Sequence, residues 1–177
     1  MMLLGLSSSC FSQSIYEQPL KSIDGTRIDL GRYKGKKMLL VIVPVSSSDS
    51  ALSVSELLQL EEKYKGSLAV VGILSEEAGF KKGEEEKLKR LYKKGESNLL
   101  LTEGMKAKKG AGQSALLQWL TSKDKNRHFD QDAQGVGSKF FVDESGELYA
   151  VMGPQVKLSS PIIDRILSRS RLKTGKQ

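Results

Sequence analysis

The stretch LLVIVPVSSSDS, Leu39 to Ser50, sets hydroxyl and carboxylate groups directly after an apolar run: Ser46, Ser47, Ser48 and Asp49. A serine becomes a nucleophile when a histidine takes its proton, and backbone N–H groups at a nearby helix start can hold an anion. The first chemistry finds no partner here. His128 is the only histidine, it lies in the polar run KDKNRHFDQD, and no G-x-S-x-G elbow surrounds a serine. It reads as a surface histidine. Gly110-Ala111-Gly112-Gln113-Ser114-Ala115 matches a dinucleotide G-x-G-x-x-A pattern, yet no acidic residue closes a second strand at the required distance. That segment reads as a glycine-rich turn. Asp130, Asp132 and Gly135 begin a calcium-type spacing, but Phe141 occupies the position where a glutamate is needed. No metal and no cofactor is expected.

Cysteine chemistry is narrower still. Cys10 is the only cysteine of the 177 residues, so a disulfide, a two-cysteine redox pair and a multi-cysteine metal site are excluded within one chain. It lies in MMLLGLSSSCFSQS, apolar and then small, without a charged side chain, which reads as a truncated secretory signal over residues 1–14. Ser12 and Ser14 supply small residues for cleavage before Ile15, and Cys10 is the alternative as a lipid-anchored cysteine. The expectation is export to the periplasm or the extracellular space. Net charge is +7, concentrated in Lys81, Lys82, Lys106, Lys108, Lys109 and the tail RSRLKTGKQ. The charge permits an acidic partner, and no aromatic-rich basic motif points to nucleic acid. No apolar run has the length of a membrane span.

The elements that must position the serines follow from periodicity. Lys37 to Val45 reads as a central strand buried on both faces. Ser53 and Glu56 form a capping box, with Leu52 and Leu57 as its hydrophobic staple, for a helix running to Tyr64 and stopping at Gly66. Before them, IYEQPLKSIDGTRIDLGRY reads as two short strands around Asp24-Gly25. After them come the strand SLAVVGIL, the charged helix GEEEKLKRLYKKG and the short strand NLLLT. QSALLQWL presents Ala115, Leu116, Trp119 and Leu120 on one helical face. KFFVDESGELYAVM is a second hairpin turning at Asp143 to Gly146, and Ser160-Pro161 opens a last helix with Ile162, Ile163, Ile166 and Leu167 inward. The sum is an α/β sandwich with a mixed sheet.

SIYEQPLKSIDGTRIDLGRYKGKKMLLVIVPV, LLQLEEKYKG, SALLQWLTS and KFFVDESGELYAVMGP together resemble the glutathione peroxidase branch of the thioredoxin superfamily, over nearly all of Ile15 to Leu167. The resemblance implies a thioredoxin-like domain over 15–172, a central mixed sheet flanked by helices with an N-terminal β-hairpin, and a basic tail at 173–177. It also implies where that family keeps its catalytic cysteine or selenocysteine, its glutamine and its Trp-Asn pair. Those positions fall on Ser47, near Glu76, and on Gly135 and Val136, so none of the four is retained. Peroxide reduction passes through a sulfenic or selenenic acid, and a serine oxygen has no such oxidation ladder. Two readings follow. One is a degenerate member acting as a binding module, with Ser46, Ser47 and Ser48 as an anion or small-ligand site. The other is a thiol-dependent peroxidase or redoxin of the oxidative-stress response, which the family alone would suggest. The sequence names neither ligand nor partner.

Overall fold

The computed structural model describes residues 14–92 and 97–169. Cys10, Ser12, Gln13 and the tail at 173–177 lie outside the described residues. The strands are β1 (Lys37–Ile42), β2 (Leu68–Ser75), β3 (Leu100–Met105), β4 (Lys139–Val142) and β5 (Leu148–Met152). The helices are α1 (Val54–Lys63), α2 (Glu85–Tyr92), α3 (Ala115–Thr121), α4 (Lys123–Asn126) and α5 (Pro161–Ser168). The strands form one five-stranded sheet in the order β3-β2-β1-β4-β5. β2 runs parallel to β1 and β3, while β4 runs antiparallel to β1 and β5. Among the described residues no helix is long and apolar enough to cross a membrane.

β1 is buried along its whole length because the sheet is covered on both faces. Successive side chains point to opposite sides. Met38, Leu40 and Ile42 enter one core with Leu116, Leu117, Trp119 and Leu120 of α3, and Leu39, Val41 and Val43 enter the other with α1, α2 and α5. β2 divides in the same way, with Val71 and Ile73 opposite Val70 and Leu74. Gly72 has a packing reason: a Cβ there would lie 2.9 Å from Leu101 Cδ2 and 3.1 Å from Val43 Cγ1.

Several local expectations change in the folded chain. The Asp24-Gly25 reversal is present, but its strands shrink to one Lys21–Arg27 bridge, because Ser22 bridges instead to Thr102 of β3. That contact covers the outer edge of β3. Ser53 Oγ accepts from Glu56 N as a cap should, whereas the Glu56 carboxylate accepts from Ser159 Oγ at 3.4 Å. Ala115 is exposed at the first turn of α3, and Leu117 takes the buried place. Ile162 is 36% exposed beside Pro161 at the start of α5, leaving Ile163 and Leu167 to reach the core.

One polar contact ties the sheet to the last helix. Lys37, at the amino end of β1, is buried, and its Nζ donates to Ile166 O at 2.8 Å, to Leu167 O at 3.0 Å and to Arg169 O. These are carbonyls that the end of a helix leaves without intrahelical partners, and a cation there also opposes the helix dipole. Removing the ammonium takes a donor from the Leu167 and Arg169 carbonyls, while Ile166 O keeps the Tyr149 hydroxyl at 2.9 Å. Lys37→Met is therefore expected to cost about 2 kcal/mol in urea unfolding, with α5 losing amide-exchange protection before the sheet.

Candidate functional site

The serines occupy a turn beyond the carboxyl end of β1, and α1 opens only at Val54. Ser47 and Ser48 are exposed, and Ser46 Oγ and Ser48 Oγ share a hydrogen bond of 2.9 Å. Asp49 Oδ1 accepts from Ala51 N at 2.8 Å, an Asx turn that redirects the chain. That turn separates the serines from the helix start at which they were expected to sit. The amide cap of α1 is Ser53, not Ser46, Ser47 or Ser48. Behind the turn, Pro44 O accepts from the buried Tyr92 hydroxyl at 2.7 Å. Burial, and then the Asp49 charge, push the Tyr92 phenol well above its ordinary pKa.

Three loops meet at this end of the sheet. A side chain at Gly79, after β2, would lie 3.5 Å from Val45 Cγ2. Gly137, before β4, has φ of +86°, and a Cβ there would fall 2.9 Å from Ala51 O and 3.3 Å from Pro154 Cα. Glycine is needed at that position both for its backbone and for the close approach. Ser47, Glu76, Gly135 and Val136 are thus brought to one end of the sheet, in three different loops. They do not form one pocket. Glu76 follows the last residue of β2, its N–H donating to Met105 O at 3.1 Å, and it lines a cleft of about 610 Å³ with Ile23, Phe80, Lys82, Glu85 and Glu103. Ser47, Gly135 and Val136 are not among that cleft's walls. Val136 instead packs against the core on the α1 and α5 side.

Two charged residues that sequence reasoning passed over support these loops. Glu77 accepts from Ser75 Oγ at 2.7 Å, Ala107 N at 2.9 Å and Lys108 N at 3.0 Å. Partial burial works against its charge, but the bonds from Ala107, Ser75 and Lys108 outweigh it and pull the carboxyl down to about 2. It fastens the loop after β2 to the loop after β3. The only sequence signal was its place beside Glu76. Lys139 opens β4 fully buried, and its Nζ donates to Gly137 O at 2.6 Å and to Gly153 O at 3.4 Å. Burial lowers its pKa to about 8, with the Glu56 charge opposing. A lysine inside the KFFV strand pattern was the available signal, and its register opposite Val41 points it into the core.

The remaining sequence motifs fall elsewhere. His128 is exposed, its Nε2 3.7 Å from the Glu147 carboxylate at the β4–β5 turn, the opposite end of the sheet from Ser47. Lys109 Nζ takes Asp130 at 3.1 Å and Asp132 at 3.4 Å. Gly110 and Gly112 both have positive φ in a turn closed by Lys106 Nζ on Ala111 O. Among the described residues no group of three or more histidine, cysteine, aspartate or glutamate side chains is placed to hold a metal ion.

Lys139 makes the site's support pH-dependent. Its folded pKa lies below the unfolded value near 10.4, so the native state resists carrying its proton. The resulting penalty is fully present below pH of about 8 and is relieved as pH rises toward the unfolded value. Compared with Lys139→Met, the parent is expected to gain on the order of 2 kcal/mol of unfolding free energy between pH of about 7 and about 10. Parallel urea titrations of the two proteins at those pH values check this.

No protein-family model matches the chain. A mitochondrial protein of Arabidopsis thaliana named "Probable phospholipid hydroperoxide glutathione peroxidase 6" is 38% identical over 61 residues, covering 34% of this chain and 26% of that protein. A chloroplastic protein of the same plant, also named as a glutathione peroxidase, is 40% identical over 53 residues, covering 30% and 23%. The match thus spans about a quarter of the length of these relatives. In structure, the chain is similar to Trgpx in its apo form (TM-score 0.63, 15% identity) and to T. cruzi GPX1 (0.63, 17%), each over 88% of this chain and 95% of the other. A SCO1/SenC family lipoprotein of Bacillus anthracis is also similar, with a TM-score of 0.51, 16% identity, 85% of this chain covered and 92% of that one.

Proposed function

From a chain that is glutathione peroxidase-like in sequence and thioredoxin-like in fold, we propose an exported, catalytically degenerate binding or interaction module without peroxidase activity. One observation carries this reading: the turn that ends the central strand presents Ser47, and no cysteine occurs anywhere in the chain except Cys10. A peroxidatic thiol attacks as the thiolate, from a pKa of about 8.5 when unperturbed, and is oxidised to a sulfenic acid that a second thiol reduces. An alcohol oxygen accepts no such oxidation. Glu76, Gly135 and Val136, where the resemblance puts glutamine, tryptophan and asparagine, supply no replacement for the lost sulfur.

Export rests on residues 1–14, whose apolar and then small composition fits a secretory leader, with Cys10 as a lipid-anchored alternative. Consumption of an organic hydroperoxide by the purified chain, with a dithiol reductant and separately with glutathione, tests the main reading. No turnover above the buffer control is expected. Robust turnover would instead support the competing reading, a thiol-dependent peroxidase or redoxin.

Ser46, Ser47 and Ser48 are the ligand-contacting residues of this proposal. With α1 opening beyond them and Asp49 adjacent, three hydroxyls alone would hold an anion. Sulfate added at constant ionic strength is expected to raise the parent's Tm above that of Ser46→Ala/Ser48→Ala if they do so. Equal shifts in the two proteins would remove the anion site and leave a polar turn.

A further inference from the structure

The cleft of about 610 Å³ beside Glu76 draws its walls from four parts of the chain. Ile23 belongs to the Asp24-Gly25 reversal, Phe80 and Lys82 to the segment after β2, Glu85 to the first turn of α2, and Glu103 to β3. These walls are tied to one another. Ile23 N donates to Leu101 O and Glu103 N to Lys21 O, each at 2.9 Å, and Lys89 of α2 holds Asp24 at the tip of the reversal. Phe80 N donates to Ser75 O at 3.1 Å, and the phenyl ring lies on Gly104 of β3, where any Cβ would overlap Cε1 and Cδ1 of the ring. A glycine in that strand thus makes room for an aromatic side chain in the cleft. Ile23 and Phe80 are both partly buried against the core.

With this apolar lining stand three carboxylates and one ammonium, Glu76, Glu85 and Glu103 against Lys82. Among the described residues nothing pairs with the side chain of Glu76 or Glu103. Glu85 Oε2 accepts from Gly83 N at 2.8 Å, and its own amide together with that of Gly83 holds its carboxyl below the usual range. The three carboxylates do not converge: among the described residues no group of three acidic side chains is placed to hold a metal ion. Negative charge spread around an aromatic and aliphatic lining matches ammonium groups that are separated by methylenes. The methylenes cover Ile23 and Phe80, the ammonium groups reach the carboxylates, and the phenyl ring also attracts a cation.

We infer that this cleft binds a linear aliphatic polyammonium ion. The inference is independent of the serine turn, because Ser46, Ser47 and Ser48 are not among the walls. The volume lies within the range of about 300–1,000 Å³ usual for small-molecule sites. A basic peptide fits less well, because strand addition needs a free edge and residues 21–23 already occupy the outer edge of β3 here. The chain's net +7 charge opposes a cation at long range. Screening over about 8 Å at physiological ionic strength leaves the local balance of charge to decide.

The test is calorimetric titration of spermidine into the full chain at physiological ionic strength, with magnesium chloride as the inorganic cation. Spermidine is expected to bind at one site, and magnesium to give no binding over the same range. Glu76→Gln/Glu103→Gln is expected to bind spermidine about ten-fold more weakly. Glu62→Gln/Glu147→Gln removes the same charge from the opposite end of the sheet and is expected to bind like the parent. All four side chains are exposed, so neither double variant disturbs the core. No spermidine binding, equal binding of magnesium, or equal losses in the two double variants would each overturn the proposal. Tighter binding of an oligolysine peptide, lost in Glu76→Gln/Glu103→Gln, would replace the small polyamine by a basic protein segment and overturn it as well.

Discussion

Burial of β1 on both faces is the constraint on which the rest of this structure depends. No residue of Lys37–Ile42 reaches solvent appreciably, so each face of the strand needs its own cover. The chain supplies α3 and the N-terminal segment on one side, and α1, α2 and α5 on the other. Each large aliphatic side chain so placed contributes roughly 1.5–3 kcal/mol relative to exposure. The strand order follows from the same demand. β1 sits in the middle, with a parallel neighbour reached through α1 and an antiparallel neighbour that leads into a tight hairpin.

A sheet buried in this way has two ends at which polar backbone must be reconciled with water, and a buried lysine serves each of them. Lys37 caps α5 at the amino end of β1. Lys139 bridges the Gly137 and Gly153 carbonyls at the carboxyl end. The ammonium group suits both places because it has three donors on a long apolar stem, which packs in the core while the head reaches loop carbonyls. The cost is desolvation, visible in the lowered pKa of Lys139. Packing of hydrocarbon thereby fixes the sheet, and two buried cations fix what its loops do.

The loops at the carboxyl end are shaped largely by residues other than those at the chemical positions. Their positions are set by Gly79 against Val45, Gly137 against Ala51 and Pro154, and Glu77 across to Ala107 and Lys108. None of these contacts involves the side chains of Ser47 or Glu76. Substitution at Ser47 or Glu76 therefore leaves the contacts that shape this end of the sheet in place, whereas Val136 is part of the core packing itself. Fold similarity to glutathione peroxidases accordingly says little about reaction, whereas the side chain at the end of β1 says much.

Much of the fold was legible in the sequence because its strands carry unbroken apolar runs and its helices carry strong ends. LLVIV, SLAVVGIL and KFFV each match a buried strand, and Ser53, Ser114 and Pro161 stand at helix starts in the folded chain. Composition alone also settled that the only cysteine is Cys10. Tertiary structure decided what depends on partners distant in sequence. Ser22 left the hairpin for a bridge with Thr102 while Lys21 kept its bridge to Arg27, Ala115 and Leu117 exchanged roles on a helix of only two turns, and Ile162 stayed at the surface. The separation of the serines from α1, the clamp made by Glu77 and the burial of Lys139 were likewise invisible to periodicity. Local pattern reports which face of an element is apolar; which loop carbonyl a charged side chain will meet depends on long-range packing that no short stretch encodes.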